Sequence, residues 1–180
     1  LDAQFFSLWE GEPRLCRHLH LPLQAGCDST LRRMARKTTR RSFARLVEAA
    51  RSARADVIVE VTGDCVLLAP EVIDRAIELY GTGLYDVVSN TWKPSYPQGI
   101  DAQVFAFTLL ADAAQQTSDP AHREHVSLYF YEHPERYRIH VVEAPPEFTA
   151  PALRFQLDYP EDLAFITAVY EELYRSHPAF

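Results

Sequence analysis

The chain has 180 residues, 47% of them hydrophobic, enough for one ordinary globular core and too few for two. No apolar run approaches the roughly 20 residues of a membrane span, the start lacks the basic and apolar regions of a signal peptide, and three widely spaced cysteines (Cys16, Cys27, Cys65) argue against a disulfide framework or a compact zinc or iron-sulfur site. The formal charge of −7 divides at a seam near Ala53 to Ala55, with 11 Lys/Arg against 5 Asp/Glu before Ala55 and 7 against 20 from there on.

A cytoplasmic protein with no membrane association is therefore expected, and the missing initiator Met fits a trimmed chain or a piece of a longer reading frame. The first organised stretch, His18 to Leu23, alternates Leu with His or Pro and predicts a short strand. A loop at Gln24 to Cys27 follows, then a short helix capped by Asp28 or Ser29. The next helix carries Phe43, Leu46, Val47 and Ala50 as a buried stripe, with Arg40, Arg41, Arg45 and Glu48 in water. The basic block Arg32 to Arg45 reads either as a solvated helix face or as a nucleic-acid contact. His18 and His20 share a strand face and have the chemistry to bind a metal, but packing at the sheet surface, which needs no additional ligands, is the reading preferred.

Leu15 to Ser29, followed by Leu31-Arg32-Arg33-Met34, resembles a barrel segment of the radical-SAM tRNA methylthiotransferases, and the likeness covers about residues 8 to 53. That family's chemistry needs a CxxxCxxC cluster motif, which these cysteines do not form, so no iron-sulfur cluster is expected.

Past the seam, strand and helix alternate. Val57 to Val61 is a β-branched run suited to a sheet covered on both faces, and Gly63 allows a sharp turn that leaves Asp64 at the strand's carboxyl end. Ligands of open α/β sheets bind at that end, so Asp64 reads as a functional carboxylate or as a turn-stabilising one. Pro70 opens a helix with Val72, Ile73, Ala76, Ile77 and Tyr80 on its apolar face, and Tyr85 to Ser89 is the next strand. Asn90 to Gly99 is a long loop of the kind that lines binding sites. A strand is predicted over Asp101 to Phe107, a helix from Thr108, and a further helix from Asp119-Pro120 running through Arg123, His125 and the aromatic cluster Tyr129-Phe130-Tyr131. Tyr137 to Val142 and Leu153 to Leu157 read as the last strands. A C-terminal helix from Pro160 should bury Leu163, Ile166, Val169, Tyr170 and Leu173, with Glu161 and Asp162 at its positive start.

The ordered set Thr62-Gly63-Asp64-Cys65, Val88-Ser89-Asn90-Thr91, Tyr96 to Asp101, Arg123 to Val126, His133 to Arg136 and Asp158 to Leu163 resembles the cytidylyltransferases of the spore-coat polysaccharide type. These are related to the enzymes that activate acylneuraminate and 3-deoxy-manno-octulosonate sugars. The resemblance implies an α/β fold: a partial Rossmann-like, nucleotide-diphospho-sugar transferase sheet with helices on both faces. It also implies transfer of CMP from CTP to a sugar or sugar acid, in a homodimer.

Asp64 and Asp158 would hold Mg²⁺ as the catalytic pair, and Tyr96, Gly99, Asp101, Arg123 and His125 would approach the substrate. Three positions depart from the pattern: Val66 for a proline, Ala69 for an acidic cap and Gln103 for an acidic residue. The family's glycine- and basic-rich CTP loop has no counterpart in residues 1 to 53, so an incomplete transferase is expected. In outline, residues 1–53 form a methylthiotransferase-like segment and 54–180 a cytidylyltransferase-like part, packed as one unit. The alternatives are a fragment of a tRNA methylthiotransferase, with tRNA as its partner, and a non-catalytic recombined domain.

Overall fold

The computed structural model describes residues 56–176; the strand, loop and helix expected before the seam lie outside the described residues. Four strands, β1 (Val57–Glu60), β2 (Val87–Ser89), β3 (Gln103–Ala106) and β4 (Ile139–Val141), form one sheet in the order β1-β3-β2-β4. β3 pairs antiparallel with both β1 and β2, and β2 pairs parallel with β4, so β1, β2 and β4 all run one way. Their carboxyl ends and the start of β3 therefore share one edge.

Alternation along each strand sorts the side chains onto two faces. Val59, Val88 and Val104 meet Val72 and Ala76 of α1 (Pro70–Gly81) on one face. On the other, Ile58, Val87 and Phe105 meet Ala113 of α2 (Phe107–Gln116) and Tyr129 and Phe130 of α4 (Val126–Glu132). Both faces are covered, as the β-branched runs require, and each fully buried aliphatic or aromatic side chain contributes about 1.5–3 kcal/mol. α1 starts at Pro70 without a side-chain cap, because Ala69 has no oxygen to offer.

Three expectations are corrected. The helix expected to run from Pro120 through Tyr131 is two, α3 (Pro120–Glu124) and α4, because His125 leaves helical geometry at φ −122° and ψ 81°. Asp119 caps α3 by accepting the Ala121 N–H at 2.8 Å.

Leu153 to Leu157 is not a sheet strand. Its backbone bonds go to loops instead: Gln98 N–H donates to the Leu153 carbonyl (2.9 Å), and Leu157 N–H donates to the Asp64 carbonyl (3.0 Å).

In α5 (Pro160–Ser176), only Ile166 of the expected stripe is buried, while Leu163, Tyr170 and Leu173 are exposed. The apolar period sets a direction for the helix, but burial needs a neighbouring element, and among the described residues the sheet lies elsewhere. The acidic start of α5 holds, since Asp162 accepts the N–H groups of Asp158 and Tyr159, each at 2.9 Å.

Candidate active site at the carboxyl edge of the sheet

β1 ends at Glu60 and the chain turns through Thr62 to Cys65, where the Cys65 N–H donates to the Thr62 carbonyl at 3.2 Å. This turn presents Asp64 at the edge where β1, β2 and β4 end. Gln156 Nε2 donates to Asp64 Oδ2, while Asp64 Oδ1 is buried without a hydrogen-bond partner. Burial raises the Asp64 pKa, but hydrogen bonds with Thr62 and Gln156 and the field of Arg154 outweigh it, so the carboxyl lies below its ordinary range. It is an ionised carboxylate with one oxygen unclaimed.

Beside it, the Cys65 thiol is buried between Thr62 Oγ1 at 3.2 Å and Asp101 Oδ2 at 3.8 Å. Burial pushes the thiol pKa up, which suits an inert packing role. Burial and the nearby Asp64 charge also raise Asp101, against the lowering influence of the Gly99 N–H and the Cys65 thiol.

Gly99 allows these pieces to meet. Its φ is +96°, and a Cβ there would stand 2.5 Å from the Gln156 nitrogen and 2.7 Å from the Phe155 carbonyl carbon. The loop thus presses against the segment that delivers Gln156 to Asp64. Asn90, 2% exposed, secures the loop's other end: its Nδ2 donates to the Ile100 carbonyl and its Oδ1 accepts the Ala102 N–H at 2.9 Å.

Asp158 follows on the same segment, where Arg154 forms an ion pair with it and approaches Asp162 at 3.6 Å. Asp64, Asp101 and the Arg154 to Asp158 segment are therefore brought together, with Arg154 acting electrostatically on both Asp64 and Asp158. Tyr96 packs in the core on the α1 face and anchors the loop. His125 is exposed between α3 and α4; Arg123 lies in α3, its side chain outside the description.

Sequence reasoning missed a second polar group at this edge. Glu60, Gln103 and Ser89 are paired across β1, β3 and β2, and alternation turns all three toward α4. Tyr131 closes the row: its hydroxyl donates to Gln103 Oε1 and is 2.7 Å from Ser89 Oγ and 3.0 Å from Thr91 Oγ1. Burial raises the Glu60 pKa to about 7, and Glu60 Oε2 is buried without a partner. A carboxylate interrupting the β-branched run Val57 to Val61 was the available signal.

A cytidylyltransferase family model matches residues 23–177, beginning within the methylthiotransferase-like segment, so the two resemblances overlap. The chain is 33% identical over 152 residues to the spore coat polysaccharide biosynthesis protein SpsF of Bacillus subtilis, covering 83% of this chain and 62% of that protein. It thus spans about three fifths of that relative's length. A cytidylyltransferase structure from Leptospira borgpetersenii superposes with a TM-score of 0.66 at 22% identity, covering 90% of this chain and 76% of the other. Over 70 residues, 39% of this chain and 15% of the relative, it is also 47% identical to the tRNA-2-methylthio-N(6)-dimethylallyladenosine synthase of Geobacter metallireducens.

Proposed function

The chain belongs to the cytidylyltransferase family, and from that premise we propose that it transfers CMP from CTP to a hydroxyl of a sugar or sugar acid, releasing pyrophosphate. The observation that carries this reading is Asp64: an ionised carboxylate at the carboxyl edge of the sheet with one buried oxygen unclaimed.

The donor set fits Mg²⁺. Among the described residues no three His, Cys, Asp or Glu side chains converge as a dedicated metal cage. Mg²⁺ does not need one, since it binds through one or two carboxylates plus phosphate oxygens and water. Asp64 and Asp158 would hold it, and when bound it would neutralise charge on the phosphates.

The chain's own residues set the rest. Gln156 orients Asp64, and Gly99 lets the Tyr96 to Asp101 loop approach that carboxylate. Arg154 holds Asp158 in an ion pair, and Asp158 would have to release Arg154 to help hold Mg²⁺. That release leaves the guanidinium available to phosphate.

The test is a thermal-shift titration with CTP and Mg²⁺ on wild type, Asp64→Ala and Asp158→Ala. A ligand bound by the folded state alone raises Tm, by the equivalent of about 2.7 kcal/mol at a hundredfold excess over Kd. The expected result is a rise in wild type that both substitutions abolish. A folded wild type indifferent to CTP would refute the proposal.

A further inference from the structure

Of the buried side-chain oxygens without a hydrogen-bond partner among the described residues, two belong to carboxylates: Glu60 Oε2 at the end of β1 and Asp64 Oδ1 in the turn after it. Asp64 is accounted for above; Glu60 is not. Among the described residues nothing donates to Glu60 Oε2, and no cation stands against this carboxylate. A buried carboxylate oxygen left this way is costly unless something fills the position in the working state.

The neighbours of Glu60 narrow what that something is. Gln103, its cross-strand partner, already has its Oε1 committed to the Tyr131 hydroxyl. The single proton of that hydroxyl is spent on Gln103, so Ser89 and Thr91 must donate to the tyrosine oxygen. None of these groups donates to Glu60 Oε2. The Trp92 ring lies nearly parallel to Tyr131, centroids 5.9 Å apart, and adds an aromatic wall. An aromatic wall beside a few placed polar groups is the usual composition of a small-molecule site.

We propose that Glu60 is a specificity-determining residue for the acceptor: its open oxygen receives a hydrogen-bond-donating group of the sugar, hydroxyl or amine, and repels a carboxylate there. This rests on the transferase reading, and it narrows "sugar or sugar acid" to acceptors that present a donor at the β1 end.

The experiment compares binding of D-glucosamine, D-glucose and D-glucuronate by saturation-transfer NMR at equal concentration, with and without CTP and Mg²⁺. Wild type, Glu60→Gln and Glu60→Leu are used, with Tm confirming that each is folded. Glucosamine or glucose should bind and glucuronate should not. Glutamine keeps an acceptor oxygen but loses the charge. If an ammonium is read, Glu60→Gln weakens glucosamine about tenfold, the loss expected for a charge-assisted hydrogen bond. If a hydroxyl is read, glucose survives Glu60→Gln and is lost in Glu60→Leu.

The proposal is overturned if glucuronate binds as well as the other two, if neither substitution changes any sugar, or if no sugar binds a wild type that does bind CTP. A wild type indifferent to CTP overturns the transferase reading by itself; the sugar comparison without nucleotide then still decides Glu60.

Discussion

Two carboxylates four positions apart, Glu60 at the end of β1 and Asp64 in the turn after it, show how local surroundings set opposite chemistry. Asp64 is drawn below its ordinary pKa by donors that outweigh its burial, whereas Glu60, given no donor, rises from about 4.5 to about 7. For Glu60 the folded state holds its proton more tightly than the unfolded chain. Folding stability from this group is therefore fully present below about pH 4.5 and is lost as pH rises through about 7. The loss amounts to on the order of 3 kcal/mol for a shift of this size. Glu60→Gln should match wild type near the acid end and be more stable by a few kcal/mol at alkaline pH. Denaturant unfolding across the range measures this; parallel wild-type and variant curves would remove the buried-carboxylate account.

At the level of elements, the site depends on a loop and a non-sheet segment pressed together at Gly99. Gly99→Ala places a methyl group within 2.5 Å of the Gln156 nitrogen in a backbone region that L residues rarely adopt. It should destabilise the protein by at least about 2 kcal/mol and blunt the CTP response, because Gln156 would be displaced from Asp64. A Gly99→Ala protein with wild-type unfolding and CTP response would show that this close approach is dispensable.

Such contacts explain what the sequence could and could not reveal. Period and β-branching located β1 to β4, α1, α2 and α5 within a few residues, since those signals arise from neighbours in the chain. Gln156, which donates to Asp64, lies 92 residues away, in a segment whose alternation imitates a strand but whose hydrogen bonds go to the 98 loop. Likewise, α5 has an apolar stripe but buries only Ile166 of it. Pattern specifies which side of an element is apolar; it does not specify what arrives to cover it.

At the largest scale, the described residues are organised by one sheet serving two apolar layers, and the candidate site lies along the edge where both layers end. Val87 and Val88 are adjacent in β2 and fully buried, one facing α2 and α4, the other facing α1. A strand shared in this way couples the layers, since loosening either face frees a backbone that the other needs. Phe130 of α4 is wholly buried, its ring 5.2 Å from that of Phe105 in the sheet. Phe130→Ala should cost about 3–5 kcal/mol, a large share of the 5–15 kcal/mol that holds a typical domain. Hydrogen exchange should then accelerate together in α4, in β2 and in α1 on the opposite face, as one cooperative unit. If α1 keeps its protection while α4 loses its own, the two layers are separate folding units, and the sheet edge that carries the candidate site is not held by a single cooperative structure.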